Sequence, residues 1–210
     1  NISQSPQVLC AGILVADIFV PPMPRLPASG ELLATEDFLL ETGGCAANVA
    51  TGLARLGIQA SVNGAVGADA FGDFLINELS ARGIDTAHVR RSPYFGTSKT
   101  VVLPVIGEDR RFIHTFGANS DFSEKHIALD TLKEGGVFYL GGLLIMPALK
   151  SEGVARLFEE AHQRGITTVL DVVVPVGDAT ASMEYLRQIL PHTDLFLPND
   201  EEAHSDRKST

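Results

Sequence analysis

The stretch Thr42–Gly67, TGGCAANVATGLARLGIQASVNGAVG, decides how the rest of the chain is read. Its glycine pair, Gly43-Gly44, lets the backbone turn sharply and approach a ligand with no Cβ in the way. A helix follows at once: Ala46, Val49, Leu53 and Leu56 fall at i, i+3, i+7 and i+10, an apolar stripe of helical spacing. Gly57 stands where a left-handed C-terminal glycine belongs, and Ala60–Val66 reads as a short buried strand. A glycine turn that opens a helix presents unpaired N–H groups and a partial positive charge. Asn48, in the first turn, adds an amide that both donates to and accepts from a hydroxylated ligand. Taken alone, the motif fits a ligand cradle and also a glycine-softened loop before an ordinary core helix.

Upstream, Val8–Val20 (VLCAGILVADIFV) is almost continuously apolar, as expected of a strand buried on both faces of a parallel sheet. Asp17 interrupts it near the carboxyl end, where ligands collect in open α/β sheets. An aspartate there is either solvated at the strand end or serves a ligand, because burying it unpaired is costly. Pro21–Pro27 holds four prolines and is neither helix nor central strand. Glu31–Leu40 (ELLATEDFLL) reads as a strand leading into the glycine pair.

Downstream, Asp69–Arg82 is a helix with Asp69 as its cap and Gly83 as its stop. Ser98–Val105 and Arg111–Phe116 are β segments joined by a turn at 107–110. They break the βα rhythm, so they stand off the main sheet as a small layer. Beyond Asp121 the alternation resumes: strand Val137–Leu140, helix Lys150–Arg164, strand Thr167–Val174 with Asp171 inside it, helix Ala179–Leu190 and strand Asp194–Pro198. Such repetition argues for right-handed βαβ units and a parallel sheet. Glu159 and His162 form half of a carboxylate metal motif, but they sit on the polar face of their helix and no second copy exists.

At 210 residues and 45% hydrophobic content the chain is globular, with a core of its own. Sixteen basic against 26 acidic residues give a net charge of −10, which excludes a nucleic-acid footprint. No apolar run is long enough to span a bilayer, and no basic region precedes an apolar signal core. Two cysteines, Cys10 and Cys45, make neither a disulfide framework nor a metal site, so a reducing cytoplasm is expected. Walker A, dinucleotide-binding, nucleophile-elbow and His-Glu-x-x-His strings are all lacking, against the corresponding hydrolase, dehydrogenase and metalloprotease readings.

Asn199-Asp200-Glu201-Glu202 follows the last strand. An amide and a carboxylate three residues apart on a helical first turn face the same way and suit a hydrated Mg²⁺. An acidic helix start favoured by the macrodipole explains the same residues equally well.

Gly43-Gly44, Asn48, Ala50, Gly57 and Gly67 together resemble the N-terminal signature of the PfkB carbohydrate kinases, the ribokinase-like family. Gly117-Ala118-Asn119 resembles a further string of that family. The resemblance implies a ribokinase-like α/β fold: a central, mostly parallel sheet flanked by helices, with a small β-sheet lid. Residues 8–202 would form the α/β domain, incomplete at its C-terminus, with lid segments at about 20–42 and 96–117 and a tail at 203–210. It implies phosphoryl transfer from ATP, with Mg²⁺, to a hydroxyl of a small sugar or nucleoside. Asp17, Gly43, Gly44 and Asn48 would bind the substrate; Asn199 and Glu202, matching an Asn-x-x-Glu of the family, would serve magnesium and phosphate. Such a lid often dimerises, so a homodimer through it is expected.

Two departures stand beside the match. The family's second signature, an Asp-Thr-x-Gly-Ala-Gly-Asp type loop that carries the anion hole and the catalytic base, does not occur; the base is expected beyond Thr210. Val173 and Pro175 stand where some members have Asp-x-Asn-x-Arg, so the substrate subclass stays open. The alternatives are a non-catalytic sugar- or nucleoside-binding or regulatory module, and a fragment without function of its own.

Overall fold

In the computed structural model, which describes residues 7–173 and 179–198, the apolar run Val8–Val20 is two strands, β1 (Val8–Gly12) and β2 (Val15–Phe19), in different sheets. This corrects the expectation of one continuous strand. At the break Gly12 has φ +142° and packs so closely on Gly141 that a Cβ would lie 2.1 Å from its carbonyl oxygen. Hydropathy could not reveal the break, because the residues on both sides of it are buried.

The next strand, β3 (Leu39–Gly43), begins much later than the expected Glu31–Leu40. Glu31 instead closes a turn: its carboxylate accepts from Ala28 N at 2.7 Å and from both Arg25 Nη atoms, at 2.6 and 2.5 Å. Helix α1 (Cys45–Arg55), β4 (Ala60–Gly67), helix α2 (Ala70–Ala81) and β5 (Val89–Ser92) follow. The hairpin is β6 (Lys99–Leu103) and β7 (Arg111–Thr115), antiparallel as expected. Three 3₁₀ turns (117–121, 124–126, 129–131) then lead to β8 (Val137–Gly141) and α3 (Ser151–Gln163). β9 (Thr167–Asp171), α4 (Ala179–Leu186) and β10 (Leu195–Leu197) complete the described chain.

Six strands form a wholly parallel sheet in the order β10-β9-β8-β1-β4-β5, and four form a separate mixed sheet in the order β3-β2-β6-β7. Alternation along β1 builds two cores. Leu9 and Ala11 face α3 and the 3₁₀ segment, where Phe138 meets Phe158 edge to face at 5.3 Å. Burying each such side chain fully contributes about 1.5–3 kcal/mol. Val8 and Cys10 face the other way, onto α1 and α2.

Helix α1 touches the sheet through Ala46, Ala47 and Ala50, whose small side chains let its backbone come close. Val49 and Leu53 flank that contact, but Leu56 is 77% exposed, contrary to the expected stripe. At about 100° per residue, ten residues carry Leu56 about 80° round from Ala46. Helix α2 is capped as expected, Asp69 accepting from Gly72 N at 2.9 Å.

Candidate functional site

All strands of the main sheet run parallel, so Gly12, Gly67, Gly141 and Asp171 bring their carboxyl ends to one edge. Helix α1 starts beside that edge. Its N-cap is Gly44, at φ +90°, where a Cβ would lie 2.3 Å from the carbonyl oxygen of Ile13. Gly44 is therefore needed twice over, for its backbone conformation and for its contact with the link between β1 and β2. The open first turn of α1 faces the site with its partial positive charge, and Asn48 lies on that turn with its side chain exposed.

Gly43 is needed for a different reason. A Cβ on it would sit 2.0 Å from Asp17 Oδ2, so the carboxylate lies directly over the glycine. Asp17, Gly43 and Gly44 are thus brought together, with Asn48 one helical turn on. Asp17 reaches this place from the separate sheet; it does not end a strand of the main sheet, as the continuous-strand reading implied. Asn199 and Glu202 lie outside the described residues.

Strand register sets a polar row across the smaller sheet: Glu41 opposite Asp17, Asp17 opposite Thr100, Thr100 opposite His114. Burial pushes the Asp17 carboxyl above its ordinary range, while a hydrogen bond from Thr100 and the charge of His114 act to lower it. Thr100 Oγ1 and His114 Nδ1 are 3.0 Å apart. Partial desolvation lowers the His114 imidazole, and the Asp17 charge opposes that shift. Phe116 packs edge to face on the His114 ring, with centroids at 4.8 Å. Thr100 and His114 escaped the motif reading, because no local pattern joins them and only the β6–β7 register sets them opposite each other.

Other polar residues serve structure. Asn119 of the Gly-Ala-Asn string is buried and binds Leu14 twice, accepting from its N at 3.2 Å and donating to its O at 3.0 Å. Asp69 does more than cap α2: it also accepts from Thr97 N at 2.8 Å and from Thr97 Oγ1 at 2.6 Å. His162 contacts Asp194 at 3.0 Å and Thr168 at 3.2 Å, tying α3 to the strands beside it. Among the described residues no group of three His, Cys, Asp or Glu could hold a metal ion.

At the floor of the site, Tyr139 donates to Asp171 Oδ2 at 2.5 Å. Burial and that bond raise the tyrosine hydroxyl far above its ordinary range, so it stays a donor. Cys10 and Cys45 form no disulfide, and burial pushes the Cys10 thiol up to about 12. No helix among the described residues is long and apolar enough to cross a membrane.

The sequence model described as pfkB family carbohydrate kinase matches residues 5–206. A probable fructokinase-6, chloroplastic, of Arabidopsis thaliana is 31% identical over 175 residues, covering 81% of this chain and 44% of that protein. A ribokinase of Bacillus subtilis is 27% identical over 180 residues, covering 85% of this chain and 57% of the relative. Among solved structures, Arabidopsis thaliana ribokinase complexed with ribose and ATP superposes with a TM-score of 0.75 at 23% identity, over 96% of this chain and 62% of that one. The six-stranded sheet with its separate small sheet is accordingly the ribokinase fold. The chain spans about half the length of the curated relatives it matches.

Proposed function

This chain belongs to the pfkB family of carbohydrate kinases, and from that footing we propose that residues 1–210 carry the sugar-binding end of an ATP-dependent phosphoryl transfer to a hydroxyl of a small sugar. The observation that carries the reading is the Asp17 carboxylate seated over Gly43, beside the open N-terminus of α1. A carboxylate there accepts hydrogen bonds from sugar hydroxyls, the two glycines let the ring approach the backbone, and Asn48 supplies a further amide. Phosphoryl transfer asks mainly for positioning and charge neutralisation, and this end of the site supplies the positioning.

ATP is the phosphoryl donor in this reading, supported by the ATP bound in the related ribokinase. Mg²⁺, when bound, would bridge and neutralise phosphate oxygens. Asn199 and Glu202 offer the hard oxygen donors it prefers, and they follow β10, whose carboxyl end lies at the same sheet edge as Asp171. We place the proton-accepting base outside residues 1–210, which contain no Asp-Thr-x-Gly-Ala-Gly-Asp type loop. The small sheet is the lid of this reading, built from 15–19, 39–43, 99–103 and 111–115. Its apolar residues Leu39 and Phe112, in one cross-strand row, are 56% and 59% exposed, and a second copy of the chain would cover them.

Isothermal titration of D-ribose and D-fructose into the 210-residue chain and its Asp17→Asn variant tests the reading. Binding of one of these sugars should weaken at least about tenfold in the variant, the loss of one charge-assisted hydrogen bond. Equal affinity in the two proteins would remove Asp17 from the site.

A further inference from the structure

The polar row across the small sheet does more than line a surface, because its hydrogen bonds have a direction. An ionised Asp17 only accepts, and a threonine hydroxyl has one proton to give. If Thr100, opposite Asp17 in the register, gives that proton to the carboxylate, its oxygen must accept from His114, 3.0 Å away. His114 Nδ1 must then carry a hydrogen. The order would then be His114 Nδ1–H to Thr100 Oγ1–H to the Asp17 carboxylate, three side chains that the register places on adjacent strands β7, β6 and β2. Phe116 holds the imidazole ring from the side.

We propose that His114 is a positioning residue for the sugar site: through Thr100 it fixes the rotamer of Asp17, so that the oxygen atoms over Gly43 are aimed at the sugar hydroxyls. This rests on the reading of Asp17 as the sugar-binding carboxylate. The relay is polarised in one sense, and protonation of His114 at Nε2 strengthens it without breaking it, since Nδ1 remains a donor. The other charged groups around the row are few. Glu41 of β3 is opposite Asp17 and 3.9 Å from Arg82, which caps the C-terminus of α2. Lys99 turns to the opposite face, toward Asp69 and the Phe71 ring, and Arg110 lies over Phe112.

The decisive measurement is the tautomer of His114, read from imidazole ¹⁵N shifts and long-range ¹H–¹⁵N couplings in the 210-residue chain. A free neutral histidine favours the Nε2–H form; the relay demands Nδ1–H. Thr100→Val should release His114 to the Nε2–H form, and Asp17→Asn should lower the histidine pKa by removing the neighbouring charge. An Nε2–H tautomer in the wild-type chain overturns the proposal, whether or not either sugar binds.

Affinity for D-ribose and D-fructose supplies the functional arm. His114→Phe keeps a ring against Phe116 but loses the donor, and should weaken binding about 3- to 10-fold, the effect of one neutral hydrogen bond. His114→Asn keeps a donor near the position of Nδ1 and should restore most of that loss. Thr100→Val combined with His114→Phe should cost no more than the larger single change, because both act through one chain of bonds. If Asp17→Asn abolishes binding while His114→Phe leaves it unchanged, the relay fails and the sugar site stands. If Asp17→Asn binds as well as wild type, the sugar site fails with it.

Discussion

Gly43→Ala is the smallest change that tests the site. Gly43 is not among the glycines at positive φ, so alanine meets no backbone strain there and the whole effect is spatial. The added Cβ would lie 2.0 Å from Asp17 Oδ2 and 2.7 Å from Asp17 Cγ. Ordinary contact begins near 3.4 Å, so the carboxylate must retreat by about 1.4 Å (3.4 − 2.0). A hydrogen bond set for a sugar hydroxyl does not survive a displacement of that size. Losing one charge-assisted bond costs about 1.5–3 kcal/mol, or about 10- to 150-fold in Kd. Asp17→Ala removes the obstacle and the ligand group together. In that background Gly43→Ala should therefore cost almost nothing further in affinity or in thermal midpoint, giving a large non-additivity in the double-mutant cycle. Sugar titration and thermal unfolding of the four proteins are the assay. Additive losses, or a Gly43→Ala chain that binds sugar like wild type, would refute the argument.

Asn119→Ala strands the buried N and O of Leu14 and should destabilise the chain by about 2–4 kcal/mol, seen as a lower midpoint in urea. The Asp194 carboxyl is held below its ordinary range, chiefly by the Thr168 backbone N–H and further by His162 and the Thr168 hydroxyl. Its stabilising effect is therefore fully present above the unfolded carboxylate pKa of about 3.9 and is lost as pH falls through the lower folded value. Asp194→Asn should lower stability at pH 7 and flatten the acid limb below about pH 4 in denaturant titrations. If two copies join through the small sheet, Phe112→Glu at that 59%-exposed position should give a monomer by sedimentation velocity while leaving the thermal midpoint in place; a wild-type chain that sediments as a monomer at micromolar concentration would exclude the pairing.

What the sequence disclosed follows from what leaves a local trace. Helices α2 and α3 and the β6–β7 hairpin each have their own period, caps or turn, and they fall where the pattern puts them. The passage from β1 to β2 has no such trace: burial erases the alternation on both sides, and Gly12 is one glycine among 20. Glu31–Leu40 looked extended, but the pairing of Arg25 with Glu31 turned its start into a loop. Gly43, Gly44 and Asn48 stood out as a candidate cradle because conformation and chemistry are local there. Asp17 was legible as a candidate, but its sheet was not. Thr100 and His114 become visible only once strands 15–19, 99–103 and 111–115 are in register, a long-range property.

The central place of β1 also bears on how the chain reaches its fold. Val8 pairs with Ala60, 52 residues on, and with Val137, 129 residues on. All five residues of this strand are buried, yet it leaves the ribosome before β4 and β8 and must wait for both. Until β8 docks, one edge of an apolar parallel strand lies open, which is the kind of surface on which nascent chains associate wrongly. Pairings of such long sequence separation make folding slow. Substitutions that weaken the β1–β8 contact should therefore lower the yield of folded chain during synthesis more than they lower the stability of the finished protein.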